Sequence, residues 1–228
     1  FACSFLPAQE FSVTGLSCEH RTDPVGLDTR EPRFSWKAQT IARGWRQSAY
    51  RIQAATGSDF SDKTVVWDSG KVASDASVLQ SYRGAQLTSG TRYFWRVKVW
   101  DERGQESAWS PTAFWETALL SPSDWKAAWI EPEQEAAPPR YSPAHLLRKE
   151  FAITKKIASA RAYATAHGLY ELYLNGQKVG DQALTPGWTM YFKRLQYQTY
   201  DVTKLLQDGP NAVGATAVET RPEFEDVY

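Results

Sequence analysis

Short stretches in which apolar and polar residues alternate recur along this chain, whereas stretches with apolar residues at helical spacing are nearly absent. Successive side chains of a β-strand point to opposite faces, so this alternation is typical of strands with one buried face. The clearest cases are 50–54 and 92–100, and the second runs into a turn signal, Asp-Glu-Arg-Gly, at 101–104. We therefore predict an all-β protein, with short helices only near 157–160 and 202–206.

The alternation in 92–100 also assigns faces. It places the side chains of Arg96 and Lys98 toward water and the apolar side chains between them toward a core. Further short apolar segments, each bounded by Gly, Pro, Ser or Asp, occur at 32–36, 65–70 and 113–117. Short strands separated by turn signals are typical of a β-sandwich, so we predict one over residues 11–118.

Charge and hydropathy argue against a nucleic-acid partner and against a membrane-spanning segment. The chain has 26 Lys and Arg against 26 Asp and Glu, so it lacks the basic excess that neutralises phosphates, and we predict no nucleic-acid partner. No run of about 18 apolar residues is present, so we also predict no membrane span.

The first residues and the cysteines leave alternatives open. Residues 1–10 are either the tail of a secretory signal or a lead-in strand. Cys3 and Cys18 are the only cysteines, so one disulfide is the most that the chain can form, and the sequence does not decide whether it does.

The alternation stops over 119–145, a Pro-rich segment that we interpret as a linker on the surface. Trp125 and Trp129 are too apolar for a free tether, so we expect them to dock on a domain. A second domain is predicted over 146–228. Its roughly 80 residues are few for a domain, since about 100 to 150 is usual, so either it is truncated or its missing strands belong to a longer protein.

The sharpest local signal in this second part is Asn175-Gly176, which lies between alternating segments. Asn-Gly is the strongest short-range signature of a two-residue hairpin turn, so a hairpin is predicted there. Strands are also predicted near 147–153, 160–166, 169–174 and 212–218.

Catalytic motifs are missing from the sequence. It contains no nucleophile elbow, no phosphate-binding Gly loop and no His pair at metal-ligand spacing, since His20, His145 and His167 stand far apart. Glycoside hydrolysis needs two facing carboxylates about 5 to 10 Å apart, which a sequence cannot reveal. From the residues we predict no catalytic group, no metal ligand and no cofactor.

Aromatic and polar residues are interleaved over 170–200. A sugar presents an apolar C–H face and a rim of hydroxyls, so its site needs an aromatic platform and a few polar groups. The alternative is that these aromatics form the core of a β domain. Trp188, in a Pro-Gly-Trp loop, is the best platform residue. The candidate carbohydrate-binding residues are Tyr173, Asn175, Trp188, Tyr191 and Arg194.

Several ordered segments resemble the N-terminal region of bacterial α-L-rhamnosidases. They are Glu-His-Arg-Thr-Asp-Pro-Val-Gly-Leu-Asp at 19–28, Pro-Arg-Phe-Ser-Trp at 32–36, Trp-Arg-Val-Lys-Val-Trp-Asp at 95–101, Ser-Ala-Trp-Ser at 107–110, Gly-Leu-Tyr-Glu-Leu-Tyr-Leu-Asn-Gly at 168–176, Leu-Thr-Pro-Gly-Trp-Thr at 184–189 and Lys-Arg-Leu-Gln-Tyr-Gln-Thr-Tyr-Asp-Val-Thr at 193–203. The likeness spans about residues 16–214 and departs from the family pattern over 215–228.

The resemblance implies a fibronectin type III-like sandwich followed by an incomplete jelly-roll β-sandwich of the galactose-binding type. It also implies a downstream helical barrel whose acidic residues release terminal α-L-rhamnose by inverting hydrolysis. No catalytic residue carries over to this chain. Relatives of the jelly-roll module include calcium-dependent, rhamnose-binding examples. A bound calcium ion is therefore implied by the resemblance alone and not by the residues.

Three hypotheses follow from the sequence. The first is a non-catalytic scaffold that precedes the catalytic domain of a periplasmic or extracellular rhamnosidase acting on a rhamnose-containing glycan. The second is an autonomous carbohydrate-binding module. The third is a spacer or interaction module without a ligand, which would be favoured if the aromatics proved buried.

Overall fold

The computed structural model describes residues 11–131 and 144–219. Within these ranges the chain is all-β, as predicted: it has fourteen strands and two short 3-10 turns, and no α-helix. No helix in the described ranges has the length and apolar character that a membrane span needs. The chain divides into two compact units, Phe1–Trp125 and Lys126–Tyr228. The lead-in residues 1–10, which include Cys3, residues 132–143 of the Pro-rich segment and the last nine residues lie outside the described residues.

The first unit is a sandwich of two antiparallel sheets. Its strands are β1 (Phe11–Cys18), β2 (Arg33–Thr40), β3 (Gln47–Ala55), β4 (Val65–Asp68), β5 (Val72–Ala73), β6 (Gln80–Ser81), β7 (Arg92–Asp101) and β8 (Ala113–Glu116). One sheet has the order β1-β2-β6. The other has the order β4-β3-β7-β8, and β5 also pairs with β3. Every strand predicted for this unit is therefore present.

The core of the first unit consists of side chains from both sheets, and large aromatic rings dominate it. Phe34 from β2 and Trp95 and Trp115 from β7 and β8 are fully buried. The Phe34 ring centroid lies 4.6 Å from that of Trp95 and 5.2 Å from that of Trp115. Aromatic rings bury the most apolar area per residue and gain further from tilted contacts, which explains why a unit of this size uses so many of the ten tryptophans.

Arg96 and Lys98 lie on the outer face of β7, but they do not simply face water as the alternation predicted. The Arg96 guanidinium lies between the rings of Phe60 and Trp109, at 4.1 and 4.5 Å from their centroids. The side chain of Lys98 is only 15% exposed; it lies over Trp109 and forms an ion pair with Glu106. Because rings from neighbouring loops cover both cations, this face is a second, polar layer of packing.

The position of Trp109 follows from two serines beside it. Ser110 Oγ accepts from the backbone N–H of Val97 over 3.1 Å, and Ser107 Oγ accepts from that of Val99 over 3.0 Å. These bonds use backbone N–H groups of β7 beyond the residues that pair with β8, so residues 107–110 run alongside β7. Trp109 is thereby placed against the cations of the outer face.

The second unit is smaller and contains β9 (His145–Ile153), β10 (Arg161–Ala164), β11 (Gly168–Leu174), β12 (Gln177–Lys178), β13 (Gln198–Asp201) and β14 (Gly209–Glu219). One sheet has the order β12-β11-β14-β9, and the other contains only β10 and β13. Leu174, Val179 and Val202 form the buried centre of its core. Of the two short helices predicted, the segment 157–160 forms none and the segment 202–206 forms a 3-10 turn, Thr203–Leu205.

The two-stranded sheet is too narrow to cover the four-stranded one. Register places Lys149 opposite Val213 and Phe151 opposite Asn211, so these β9 side chains share the face that Val213 and Asn211 present to the core. Lys149 is nevertheless exposed, and Phe151 is 36% exposed. Over residues 144–219, the second unit is therefore an incomplete sandwich, as predicted.

The Asn175-Gly176 hairpin is confirmed. Leu174 pairs with Gln177, which leaves two residues in the turn between β11 and β12. Asn175 and Gly176 have φ angles of 49° and 80°. Both lie in the left-handed region that a type I′ turn requires and that Asn and Gly tolerate best.

Candidate functional site

The loop 184–196, which holds three of the five predicted site residues, is fixed at its base to β11. The Thr185 carbonyl accepts from the backbone N–H of Tyr170 over 2.8 Å, and Thr185 Oγ1 donates to the Tyr170 carbonyl over 2.6 Å. Gln198 Nε2 donates to the Pro186 carbonyl, and Thr165 Oγ1 to the Gln196 carbonyl. Because both ends of the loop are bonded to strands, the loop has a defined path without regular secondary structure.

A second set of hydrogen bonds shapes the tip of this loop. The Met190 carbonyl accepts from the backbone N–H groups of both Lys193 and Arg194 at 2.8 Å, and Thr189 Oγ1 donates to the Arg194 carbonyl. This turn uses amides that a strand would need. Residues 191–197 therefore form no strand, and β13 begins only at Gln198.

Large apolar side chains project from the loop into solvent. Four of them lie within nine residues and are more than half exposed: Leu184 (70%), Trp188 (76%), Met190 (57%) and Phe192 (71%). We call these four side chains the apolar loop face. Met190 is the only methionine of the chain, so its one flexible thioether lies on the surface instead of filling a core.

A row of rings lies next to this face. The Tyr191 ring is stacked on that of His167, with centroids 5.4 Å apart and planes 9° apart. His167 in turn contacts Trp129, with centroids 4.4 Å apart. Trp129 therefore docks on a ring of the second unit, yet 61% of it is exposed, and the neighbouring Ile130 is 75% exposed. Sequence reasoning did not connect these rings, because no spacing links positions so far apart.

Of the two remaining predicted site residues, Tyr173 lies on the outer face of the four-stranded sheet. Its hydroxyl donates to Glu171 Oε2 over 2.7 Å, and Lys178 Nζ donates to the other carboxylate oxygen. The Lys178 hydrogen bond, and then that of Tyr173, lower the pKa of Glu171. The Glu171 carboxylate in turn raises the pKa of Tyr173. The group is a surface network whose polar atoms bind one another.

The side-chain amide of Asn175 forms hydrogen bonds within the second unit. Its Nδ2 donates to the Leu205 carbonyl over 2.9 Å and to Asn211 Oδ1 over 2.8 Å, and its Oδ1 accepts from the Ala212 N–H over 2.8 Å. All three bonds join segments of the second unit, so the side chain stabilises the end of the hairpin.

The structure thus places the five residues in two groups. Trp188, Tyr191 and Arg194 share the loop that is bonded to β11 at Tyr170. Tyr173 lies near the other end of β11, and Asn175 lies in the hairpin turn that follows it. Since the polar groups of both residues bind partners within the second unit, the loop residues are the better candidates for a sugar site.

The described part of the chain has no cluster of acidic or metal-binding side chains that could hold a metal ion. No group of three or more His, Cys, Asp or Glu side chains is arranged there to hold a metal ion. Several carboxylates form ion pairs with nearby cations, as in Arg51–Asp68 and Arg92–Glu116, and others accept from backbone amides, as Asp23 and Asp101 do. Such pairs orient strands and are typical of structural surfaces.

Two family models match the chain, in order. Residues 13–121 match the Rha78A-like, N-terminal immunoglobulin domain, and residues 155–219 match the alpha-L-rhamnosidase N-terminal domain. The chain belongs to the N-terminal region of the α-L-rhamnosidase family. Immunoglobulin and fibronectin type III domains share the two-sheet sandwich, so the first match agrees with the architecture of the first unit.

Relatives and solved structures agree with this assignment. An alpha-L-rhamnosidase of Alteromonas sp. (strain LOR) is 40% identical over 201 residues, which are 85% of this chain and 22% of the relative. One from Formosa agariphila is 38% identical over 204 residues, again 22% of the relative. The rhamnosidase structure from Dictyoglumus thermophilum matches with a TM-score of 0.84 at 38% identity, over 95% of this chain and 26% of its own. That from Aspergillus terreus has a TM-score of 0.76 at 36% identity, over 92% of this chain and 24% of its own.

The match covers only a small part of each relative's length. The chain spans about a fifth to a quarter of the length of the relatives that it matches. The greater part of each relative therefore has no counterpart in the residues described above.

Proposed function

We propose that this chain is a non-catalytic N-terminal portion of an α-L-rhamnosidase, which supports the catalytic part of a longer protein. One observation carries the proposal: two β units match, in order, the N-terminal domains of enzymes about four times as long. In this proposal the longer protein releases terminal α-L-rhamnose from a glycan by inverting hydrolysis. Its acid and base carboxylates belong to a helical barrel that this chain does not contain.

The hydrogen bonding of the described residues supports a scaffold role. The polar groups nearest the loop 184–196 bind backbone or each other, as Thr185, Gln198 and Thr165 do. Carboxylates such as Asp68 and Glu171 are held by neighbouring cations, and Asp101 is held by backbone amides. A general acid and a general base would instead need to face an open space that is wide enough for a sugar and a water.

Hydrolysis of an aryl α-L-rhamnoside tests this proposal. The longer protein should release the aryl alcohol, and the 228-residue chain should give no release above buffer at the same molar concentration. Enzyme-like turnover by the chain alone would overturn the scaffold role. Inactivity of the longer protein on α-L-rhamnosides, with activity on another glycoside, would overturn the substrate assignment.

A second candidate function, carbohydrate binding, is favoured by the exposure of Trp188. Its ring is 76% exposed on a hydrogen-bonded loop, and Arg194 beside it is exposed as well. A flat ring with a nearby guanidinium can take the apolar face and the hydroxyls of a sugar. Tyr191 contributes less, because one face of its ring is stacked on His167.

Titration with L-rhamnose tests carbohydrate binding. We expect a saturable change in tryptophan fluorescence that is lost in Trp188→Ala and kept in Trp129→Ala, the matched control for another exposed tryptophan. A flat response up to millimolar sugar would remove this function. Repeating the titration with calcium and with a chelator tests the calcium dependence that the family resemblance implies.

The cellular location of the longer protein follows from its proposed substrate. Rhamnose-containing glycans lie outside the cytoplasm, so we propose a periplasmic or extracellular location. Fractionation of cells that express the longer protein tests this, and recovery from the cytoplasmic fraction would contradict it.

A further inference from the structure

We propose that the apolar loop face (Leu184, Trp188, Met190 and Phe192) is a docking surface for the remainder of the longer protein, in contact with apolar side chains of its catalytic part. This inference rests on the proposed function, because it takes the occupant to be the portion that the relatives have and this chain does not match.

Exposure is the first step. Four large apolar side chains within nine residues are each 57–76% exposed. Apolar residues that are exposed singly are ordinary, and Ile41 in the first unit is an example at 99%. Four such side chains within nine residues of one loop are different, because soluble proteins rarely concentrate large exposed apolar side chains in one place unless something covers them.

Rigidity is the second step. Hydrogen bonds from Thr185 and Gln198 fix the base of the loop, and the turn closed on the Met190 carbonyl fixes its tip. The face is therefore presented in one arrangement. A pre-formed surface loses less conformational freedom on binding, which favours a stable intramolecular contact.

Composition favours a protein surface over a sugar as the occupant. A sugar platform uses a flat ring with polar groups around it, whereas this face adds the branched side chain of Leu184, the thioether of Met190 and a second ring, Phe192. Trp, Phe, Met and Arg are the residues that protein interfaces enrich, and Arg194 lies at the edge of the loop. The exposed Trp129, connected to Tyr191 through His167, extends the apolar surface beyond the loop.

The size of the unmatched portion identifies the occupant. The relatives and structures described above match this chain over 22–26% of their own lengths, so about three quarters of each lies elsewhere. A partner within the same chain has a high effective concentration, and a modest apolar contact is then enough for stable docking. A second copy or a soluble glycan has no such advantage.

Oxidation of Met190 by hydrogen peroxide gives a direct measure of docking, because it is the only methionine of the 228-residue chain and its sulfur lies in the proposed contact. Peptide mass spectrometry follows its conversion to the sulfoxide. We expect Met190 to react freely in the 228-residue chain and at least about tenfold more slowly in the longer protein, where reaction requires the contact to open. Equal rates in the two proteins would overturn the proposal.

A matched pair of variants tests the contact itself. In the longer protein, Trp188→Ser with Phe192→Ser should restore fast oxidation of Met190 and lower the Tm. Ile41→Ser, which alters an exposed apolar side chain of the first unit, should do neither. In the 228-residue chain the double variant should leave the Tm unchanged, since both side chains are exposed there. A drop in that Tm would show that the two rings stabilise the loop itself and would overturn the docking role.

The other occupants give different results. Protection of Met190 that grows with the concentration of the 228-residue chain would indicate a second copy, and protection on adding L-rhamnose would indicate a sugar site; either would overturn the proposal. Oxidation does not depend on catalysis. If Met190 is protected in a longer protein that has no rhamnosidase activity, the proposed function is wrong and the docking contact stands. If the longer protein is active but its Met190 is unprotected, the proposed function stands and the docking contact is wrong.

Discussion

The side-chain amides of Asn175 and Asn211 are hydrogen-bonded to each other, with 2.8 Å between Asn175 Nδ2 and Asn211 Oδ1. Asn211 is buried, and its Nδ2 donates to the carbonyls of Gln207 and Gly209. The pair thereby joins the hairpin turn to the start of β14. In a unit whose buried core centre has only three side chains, such a polar clamp carries a large share of the local order.

We expect Asn175→Gly to destabilise the second unit by about 1 to 3 kcal/mol, because buried partners lose their hydrogen bonds. Glycine tolerates the positive φ of this position, so the change removes the amide without straining the turn. Urea unfolding followed by circular dichroism measures the effect. Gln177→Ala, at an exposed position of the same hairpin, is the control. Equal stabilities of the two variants would contradict the clamp.

Removing the Arg96 guanidinium should destabilise the first unit. Arg96 contacts two rings, and its Nε and Nη2 both donate to Gln53 Oε1, at 3.0 and 2.7 Å. We expect Arg96→Ala to cost about 2 kcal/mol in urea unfolding, since a partly desolvated cation–π contact contributes up to roughly that amount. Arg96→Lys should recover part of the loss, because lysine keeps the charge but lacks the planar fork.

The exposed Arg46 supplies the control for this prediction. Arg46→Ala should leave the unfolding midpoint nearly unchanged. If the Arg96 and Arg46 variants unfold at the same urea concentration, the cation between the rings contributes nothing to stability.

Local chemistry explains why so much of the fold could be predicted. The inward face of β7, with Tyr93, Trp95, Val97 and Val99 buried, follows from period-two alternation alone. The hairpin follows from the left-handed conformations that Asn175 and Gly176 tolerate. Both are properties of neighbouring residues, so they can be read without knowing the rest of the molecule.

Tertiary contacts explain what could not be predicted. Arg96 and Lys98 are covered by Trp109, whose position depends on hydrogen bonds from Val97 and Val99 of β7 to serines about ten residues further along the chain. At the candidate site, the Met190 carbonyl accepts from the amides of Lys193 and Arg194, and the ring row from Trp129 to Tyr191 joins three separate segments. Only Trp188, in its Pro-Gly-Trp loop, was recognisable as a surface ring from sequence.

The ion pair between Arg51 and Asp68 should make stability depend on pH in the acid range. The hydrogen bond from Arg51 is the largest cause that lowers the pKa of Asp68, to about 2; burial opposes it, and Gln53 and the Gly70 N–H add to the lowering. Because the pKa is lower in the folded state, the stabilisation is complete above the ordinary value of 3.8 and is lost as the pH falls toward 2.

We therefore expect the Tm of the unaltered protein to fall more steeply than that of Asp68→Asn between about pH 4 and 2. The substitution keeps the shape of the side chain and removes its titration. Asp75→Asn, at an exposed position, should follow the unaltered protein. Parallel Tm curves for the unaltered protein and Asp68→Asn in scanning calorimetry would contradict the ion pair's role.

The thiol of Cys18 should be unreactive in the folded protein. It is a free thiol that is 1% exposed at the end of β1, and burial, followed by the charge of Glu19, raises its pKa. Since the thiolate is the reactive form, both access and ionisation suppress its reaction. Reaction with a disulfide reagent in Cys3→Ser protein, where Cys18 is the sole cysteine, should be slow until guanidinium unfolds the sandwich.

The unaltered protein and Cys18→Ala supply the comparison. If Cys3 is a separate thiol, unfolding the unaltered protein without reductant should release two reactive thiols, and Cys18→Ala should give one. Finding none in the unaltered protein would show a Cys3–Cys18 disulfide. Fast, stoichiometric reaction of folded Cys3→Ser protein would instead show that β1 opens readily from β2, because its pairing with that strand encloses the thiol.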